Sequence, residues 1–135
     1  MKPLVLDTSA LLALLFDEPG AEAVEALMHR ATEREQPMLM SAVNWAEACY
    51  RVATKRGAAA LAQARAFATT TPLVIVPADR ELAEAAAVYR AADVLALADA
   101  FCAALAKLRS AELVTADRDF KTVEKEIKIT WLKTP

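Results

Sequence analysis

Asp7 lies between the apolar segments of VLDTSALLALL, where a strand-like run gives way to a helix-like one. Aspartate and glutamate are almost never fully buried unless they are paired or bound to a metal. Asp7 is therefore either a solvated helix cap or a charge that a site requires. Asp99 is the sharper anomaly, because it is the only polar residue in Val94–Ala106, VLALADAFCAALA. Leu97, Phe101, Leu105 and Leu108 form one stripe at helical spacing, and Cys102, Ala103 and Ala106 make the other side small and apolar. A helix apolar all round reads as buried all round. The helix dipole accounts for an acid in the first turn but not for apolar flanks, so Asp99 reads as functional.

Asp117 follows the apolar Leu113-Val114-Thr115, and by itself it reads as an N-cap for a short helix. Asp119 reads as solvated. Glu47 is the weakest of the set on its own residues. Ala42, Trp45, Ala46, Cys49, Val52 and Ala53 follow helical spacing as a core stripe, which leaves Asn44, Glu47, Arg51 and Lys55 on the polar face. There Glu47 and Arg51 form an ordinary (i, i+4) pair.

Taken together, carboxylates without histidine or cysteine ligands make a hard-oxygen site suited to Mg²⁺ or Mn²⁺. Other chemistries lack their parts. His29 is the only histidine, far in sequence from the acids and expected on the surface, so no Ser-His-Asp or Cys-His nucleophile can be assembled around it. Two glycines leave no phosphate-cradling loop of the P-loop or dinucleotide-binding kind. What remains is metal-assisted hydrolysis, in which cations activate water and steady the leaving oxygen of a phosphodiester.

The elements that must position these residues alternate in type. Strands are expected at Pro3–Leu6, Met38–Met40, Leu73–Val76, Glu112–Thr115 and Lys128–Trp131. Helices are expected near Ser9–Leu15, Ala21–Arg34, Ala42–Arg56, Ala58–Thr70, Asp79–Ala92, Leu97–Arg109 and Asp117–Glu124. Pro19-Gly20, Pro37, Pro72 and Pro77 punctuate them, with Gly57 just past a helix end. Such alternation implies right-handed crossovers and a mostly parallel sheet of about five strands, covered on both faces in an α/β/α sandwich. Ligands bind such sheets at the carboxyl ends of the strands, where strand order reverses. Asp7 and Asp117 each follow a strand end and share one crevice if those strands are neighbours.

Composition sets the outer bounds. The 135 residues read as a single α/β domain, 1–135, with 56% hydrophobic and 25% charged residues and no disordered bias. A net charge of −2 advertises no basic field for stoichiometric nucleic-acid binding, but it does not speak against an enzyme that touches nucleic acid briefly. No apolar run is long enough for a membrane span and no signal peptide is evident. Cys49 and Cys102 lie in helix-like segments without a pairing pattern, so free thiols in the cytoplasm are expected.

Four stretches in order then carry a family likeness: Leu6-Asp7-Thr8-Ser9-Ala10-Leu11-Leu12, Ser41-Ala42-Val43-Asn44-Trp45-Ala46-Glu47, Leu97-Ala98-Asp99-Ala100-Phe101 and Thr115-Ala116-Asp117-Arg118-Asp119-Phe120. On these the chain resembles PIN-domain ribonucleases, most closely VapC toxins of bacterial and archaeal toxin–antitoxin pairs. The resemblance implies a PIN fold and an endoribonuclease dependent on Mg²⁺ or Mn²⁺. It implies that Asp7, Glu47, Asp99 and Asp117 form the acidic quartet. In that quartet Asp7 and Asp99 are the most direct metal ligands, Asp117 helps, and Glu47 acts through water. Thr8, Ser9 and Thr115 match hydroxyls that orient those acids. It implies an RNA substrate, a cognate antitoxin and a homodimer. The family reading of Glu47 thus opposes the surface-pair reading. Two departures stand out: the extra acid Asp119, and the wholly apolar Val94–Ala98, where relatives often carry Gly or Ser. Two rival readings remain. One is a non-catalytic interaction module on the same fold, against which the intact quartet argues. The other is an aspartate-based phosphatase or phosphotransfer domain, which wants Asp-x-Asp or a nearby lysine where this chain has Asp7-Thr8-Ser9.

Overall fold

Apolar runs become strands and alanine-rich stretches become helices close to where the pattern puts them. The computed structural model describes residues 2–135. The strands are β1 (Leu4–Leu6), β2 (Met38–Ser41), β3 (Leu73–Val76), β4 (Glu112–Thr115) and β5 (Ile129–Trp131). The helices are α1 (Thr8–Leu15), α2 (Ala21–Glu33), α3 (Ala42–Ala68), α4 (Arg80–Ala91) and α5 (Leu97–Leu108), with a 3₁₀ helix at Arg118–Val123. Polar side chains open three of them. Asp7, Ser41 and Asp79 accept from the backbone N–H of Ser9, Asn44 and Leu82, respectively, filling orphan donors of the first turn.

The sheet runs β3-β2-β1-β4-β5 and every pairing is parallel. The chain steps outward from β1 to β3, then returns to lay β4 against the other side of β1. The reversal of strand order therefore falls between β1 and β4, where Leu6 pairs with Val114. Strand pleating divides the core. Val5, Leu39 and Leu113 face α4 and α5, whereas Leu6, Met38, Met40 and Val114 face α1, α2 and α3. Side chains buried on both faces explain why these strands read as continuous apolar runs rather than alternating ones.

One expectation about the elements needs correction. The stretch around Asp99 is not buried all round, since Leu97 is 57% exposed and Leu108 45%. Helical spacing identifies an apolar face but not whether anything covers it. The predicted break at Gly57 is present as a kink within α3, where Gly57 takes φ 89°; a side chain at that φ would be strained. Cys49 and Cys102 are free thiols, the latter buried. No helix among the described residues is long and apolar enough to cross a membrane.

Candidate active site

Asp7 follows β1 directly, Asp117 lies two residues past β4, and Asp99 sits in the first turn of α5. Each carboxylate offers an oxygen, and the three oxygens lie within 4.8 Å of one another. The neighbouring strands place Asp7 and Asp117 together: the Asp7 backbone N–H donates to the Val114 carbonyl at 3.0 Å. Helix α5 brings Asp99 across from the other layer.

Asp7 answers the question its position raised, for it caps α1 yet is only 2% exposed. Its two oxygens are treated very differently. Oδ2 accepts the hydroxyls of Ser9 and Thr115, both at 2.8 Å, and weakly the Ser9 backbone N–H at 3.4 Å. Those hydroxyls in turn accept the backbone N–H of Ala116 and of Asp117, so the turn after β4 is tied to the start of α1. Oδ1, by contrast, is buried with no hydrogen-bond partner. A buried carboxylate oxygen without a donor is costly, and a cation is the partner that removes the cost. Hard oxygens only, closely gathered and partly dry, with one left unsatisfied: the residues present fit a divalent metal.

The electrostatics agree. Burial pushes the Asp7 carboxyl above its ordinary value, against the pull of the Ser9 and Thr115 hydroxyls. Asp99 is half-buried and is pushed up to about 7, first by burial and then by the charges of Asp7, Asp117, Glu47 and Asp119. A helix N-terminus alone favours an ionised acid, so burial and crowding outweigh the dipole here. Burial and the nearby carboxylates also push the Cys102 thiol well above its usual range.

The remaining predicted residues divide. Asp117 has both roles considered for it, because it belongs to the carboxylate group while its Oδ1 caps the 3₁₀ helix through the Asp119 N–H at 2.9 Å. Asp119 itself is exposed and stands outside the group, though its charge reaches Asp99. Glu47 is also outside the 4.8 Å grouping; it makes a loose 3.8 Å ion pair with Arg51 and still adds to the field at Asp99. Thr8 differs from Ser9 and Thr115. Its hydroxyl reaches no acid and instead donates to the Asn44 carbonyl at 3.1 Å.

Asn44 is the residue that sequence reasoning missed. Helical spacing puts it on the polar face of α3, but it is fully buried, and Ala46 of the expected core stripe is exposed. Its amide donates to the Thr8 hydroxyl and, at 3.1 Å, to the Ala98 carbonyl, while Ser41 donates to its Oδ1. One side chain thus ties the starts of α1, α3 and α5, next door to Asp7 and Asp99. The signal available was the Ser41–Asn44 spacing of a cap, which suggests a local bond but not the distant ones.

Residues 4–126 match the family model described as PIN domain, and the chain belongs to that family. Solved structures share the fold over nearly its whole length. The DNA-bound VapBC of Salmonella typhimurium is 21% identical, with a TM-score of 0.77 over 96% of this chain and 98% of that one. VapBC2 from Rickettsia felis, bound to a promoter DNA fragment, is 16% identical with the same TM-score and coverage. VapC20 of Mycobacterium tuberculosis, a toxin that cleaves the Sarcin-Ricin loop, is 18% identical, with a TM-score of 0.71 over 89% and 94%. No curated protein matches the chain in sequence.

Proposed function

We propose that this protein is a metal-dependent endoribonuclease and the toxin of a type II toxin–antitoxin pair. The observation that carries the proposal is the unpartnered, buried Oδ1 of Asp7 within a group of three carboxylates. Membership of the PIN family and the fold shared with VapBC toxins support it. Asp7, Asp99 and Asp117 would hold Mg²⁺ or Mn²⁺, which when bound supplies an activated water and a counter-charge to the leaving oxygen. The rest is done by the chain. Ser9 and Thr115 fix Oδ2 of Asp7, so that Oδ1 keeps one direction. Glu47, at the border of the group, orients water on its accessible side. Asp99, with its raised pKa, takes up a proton readily when no cation is present and releases it when one binds. A cognate antitoxin is the expected inhibitor and a second copy of the chain the expected partner.

The test is cleavage of RNA by purified protein with Mg²⁺ or Mn²⁺ and with a chelator. Internal cleavage with metal, abolished by chelator and lowered by orders of magnitude in Asp7→Asn and Asp99→Asn, is the expected result. Undiminished cleavage in either variant overturns the assignment.

A further inference from the structure

Asp7 is held at its side chain, by the Ser9 and Thr115 hydroxyls on Oδ2. Asp99 is held in another way, through the backbone of the turn that carries it. Helices α1 and α3 open on capping side chains, but α5 has no side-chain cap at Ala96. The free N–H groups of its first turn therefore lack that support, and Leu97 within the turn is exposed. Just upstream, the Thr122 hydroxyl reaches the Val94 carbonyl at a long 3.4 Å. A firmer tie comes from α3, where the Asn44 amide donates to the Ala98 carbonyl at 3.1 Å. Both bonds donated by this amide end beside an acid: Ala98 precedes Asp99, and Thr8 follows Asp7. Glu47 lies about one turn along α3 from Asn44 itself. The Thr8 hydroxyl returns a bond to the Asn44 carbonyl, and Ser41 donates to Asn44 Oδ1. The buried side chain thus uses its acceptor and both its donors. An amide is required here, because aspartate would set oxygen against oxygen at Ala98 and leucine would bond to nothing.

We infer that Asn44 is a positioning residue for the acidic site: from α3 it fixes the start of α5, and with it the place of Asp99 opposite Asp7. The inference rests on the metal-binding reading and deepens it by dividing the site into two hydrogen-bonded halves. Ser9 and Thr115 join Asp7 to the turn that carries Asp117. Asn44 and Thr8 join the residue after Asp7 to the residue before Asp99. A cation shared by the three carboxylates needs them gathered within the 4.8 Å that they span, so loosening either half weakens its binding. Groups that orient metal ligands from behind are worth about 10–100-fold in affinity. Thr8 thereby acts on the acids through Asn44, although its hydroxyl touches none of them.

The experiment is titration of the full chain with Mn²⁺, the free ion being counted by electron paramagnetic resonance well below every melting temperature. Asn44→Ala is expected to raise the Kd at least about tenfold. Asn44→Ser, which can still meet Ser41 but is too short for Ala98, is expected to do the same and serves if the alanine variant does not fold. Val24→Ala, in the core on α2, lowers stability without a bond to this network and is expected to bind Mn²⁺ as the wild type does. In chelator, the Ala100 amide closes the first turn of α5 on the Ala96 carbonyl at 2.8 Å. Its hydrogen is expected to exchange faster in the Asn44 variants than in Val24→Ala, as local opening of that turn requires. Unchanged Mn²⁺ affinity in the Asn44 variants, or an equal loss in Val24→Ala, overturns the positioning role and leaves the metal reading intact. A wild type that binds no Mn²⁺ removes the metal reading itself, and the inference with it.

Discussion

Asp99 is the residue on which charge crowding has the clearest measurable consequence. A carboxyl whose pKa rises on folding holds its proton more tightly in the folded state than in the unfolded one. Its contribution is therefore favourable at low pH and is lost as pH climbs from the ordinary 3.8 to about 7. In chelator, the melting temperature of wild type minus that of Asp99→Asn should fall through this window and level off above it. Above pH 7 the neutral variant should be the more stable, and Mg²⁺ should stabilise the wild type far more than the variant, since it binds only the folded site. A variant that melts below wild type in chelator at pH 8 would make Asp99 a structural residue. Glu47 poses the opposite problem, because its visible partner is Arg51. If it serves the site, Glu47→Gln cripples cleavage while Arg51→Ala does little. If it is only a helix-surface pair, both changes cost about 0.2–0.5 kcal/mol of stability and kcat stands. Comparing kcat between the two variants decides. Asp7 and Asp99 were legible because a lone charge among apolar neighbours is conspicuous, whereas Asp117 and Glu47 looked like an ordinary cap and an ordinary surface pair until the family likeness joined them to the others. The hydroxyls that fix Asp7 were not, since serine and threonine are ordinary at a helix start and only the family likeness singled them out.

Among the elements, α3 shows how a polar residue can be read onto the wrong face. Asn44 shares helical spacing with Arg51 and Lys55, and nothing local distinguishes it. Its burial depends on Thr8 and Ala98, 36 and 54 residues away. Asn44→Ala takes the acceptor from the Ser41 hydroxyl and the amide donor from the Ala98 carbonyl in a buried seam, while the Thr8 hydroxyl keeps its bond to the carbonyl of residue 44. A loss of about 1–3 kcal/mol per unsatisfied group is expected, read from urea denaturation, and a change within a few tenths would return Asn44 to the surface role that its spacing suggests. The strands gave less trouble. Short β-branched and leucine-rich runs located all five within a residue or so, with Pro3, Pro37 and Pro72 marking the starts of β1, β2 and β3, because the strands of a parallel sheet covered on both faces read as near-continuous apolar runs.

At the scale of the whole molecule, adjacency of β1 and β4 could only be a condition in the sequence, and the fold supplies it. What patterning could not supply is the coverage of α4 and α5. Val88, Val94 and Leu108 remain 68%, 39% and 45% exposed around one groove of about 540 Å³. Contiguous apolar exposure of this kind marks an association surface, and a second copy of the chain is the occupant that the family likeness suggests. Sedimentation at micromolar concentration should find a dimer for the wild type and a monomer for Val88→Glu/Leu108→Glu, with the melting temperature little changed. A wild type that sediments as a monomer throughout removes this face from consideration.

The β1–β4 pairing also has a consequence in time. Synthesis delivers Asp7 near the start of the chain, yet the Thr115 hydroxyl that fixes it comes 108 residues later. Until Glu112–Thr115 docks, β1 has one open flank and Asp117 has no position beside it. A polypeptide interrupted anywhere before that point is therefore incapable of building the centre, however well its first helices form. Pairings so distant in sequence are also intrinsically slow to form. On the toxin reading proposed above, the order of the strands alone shields the producing cell from unfinished copies, and the need for an inhibitor begins only once β4 has been made.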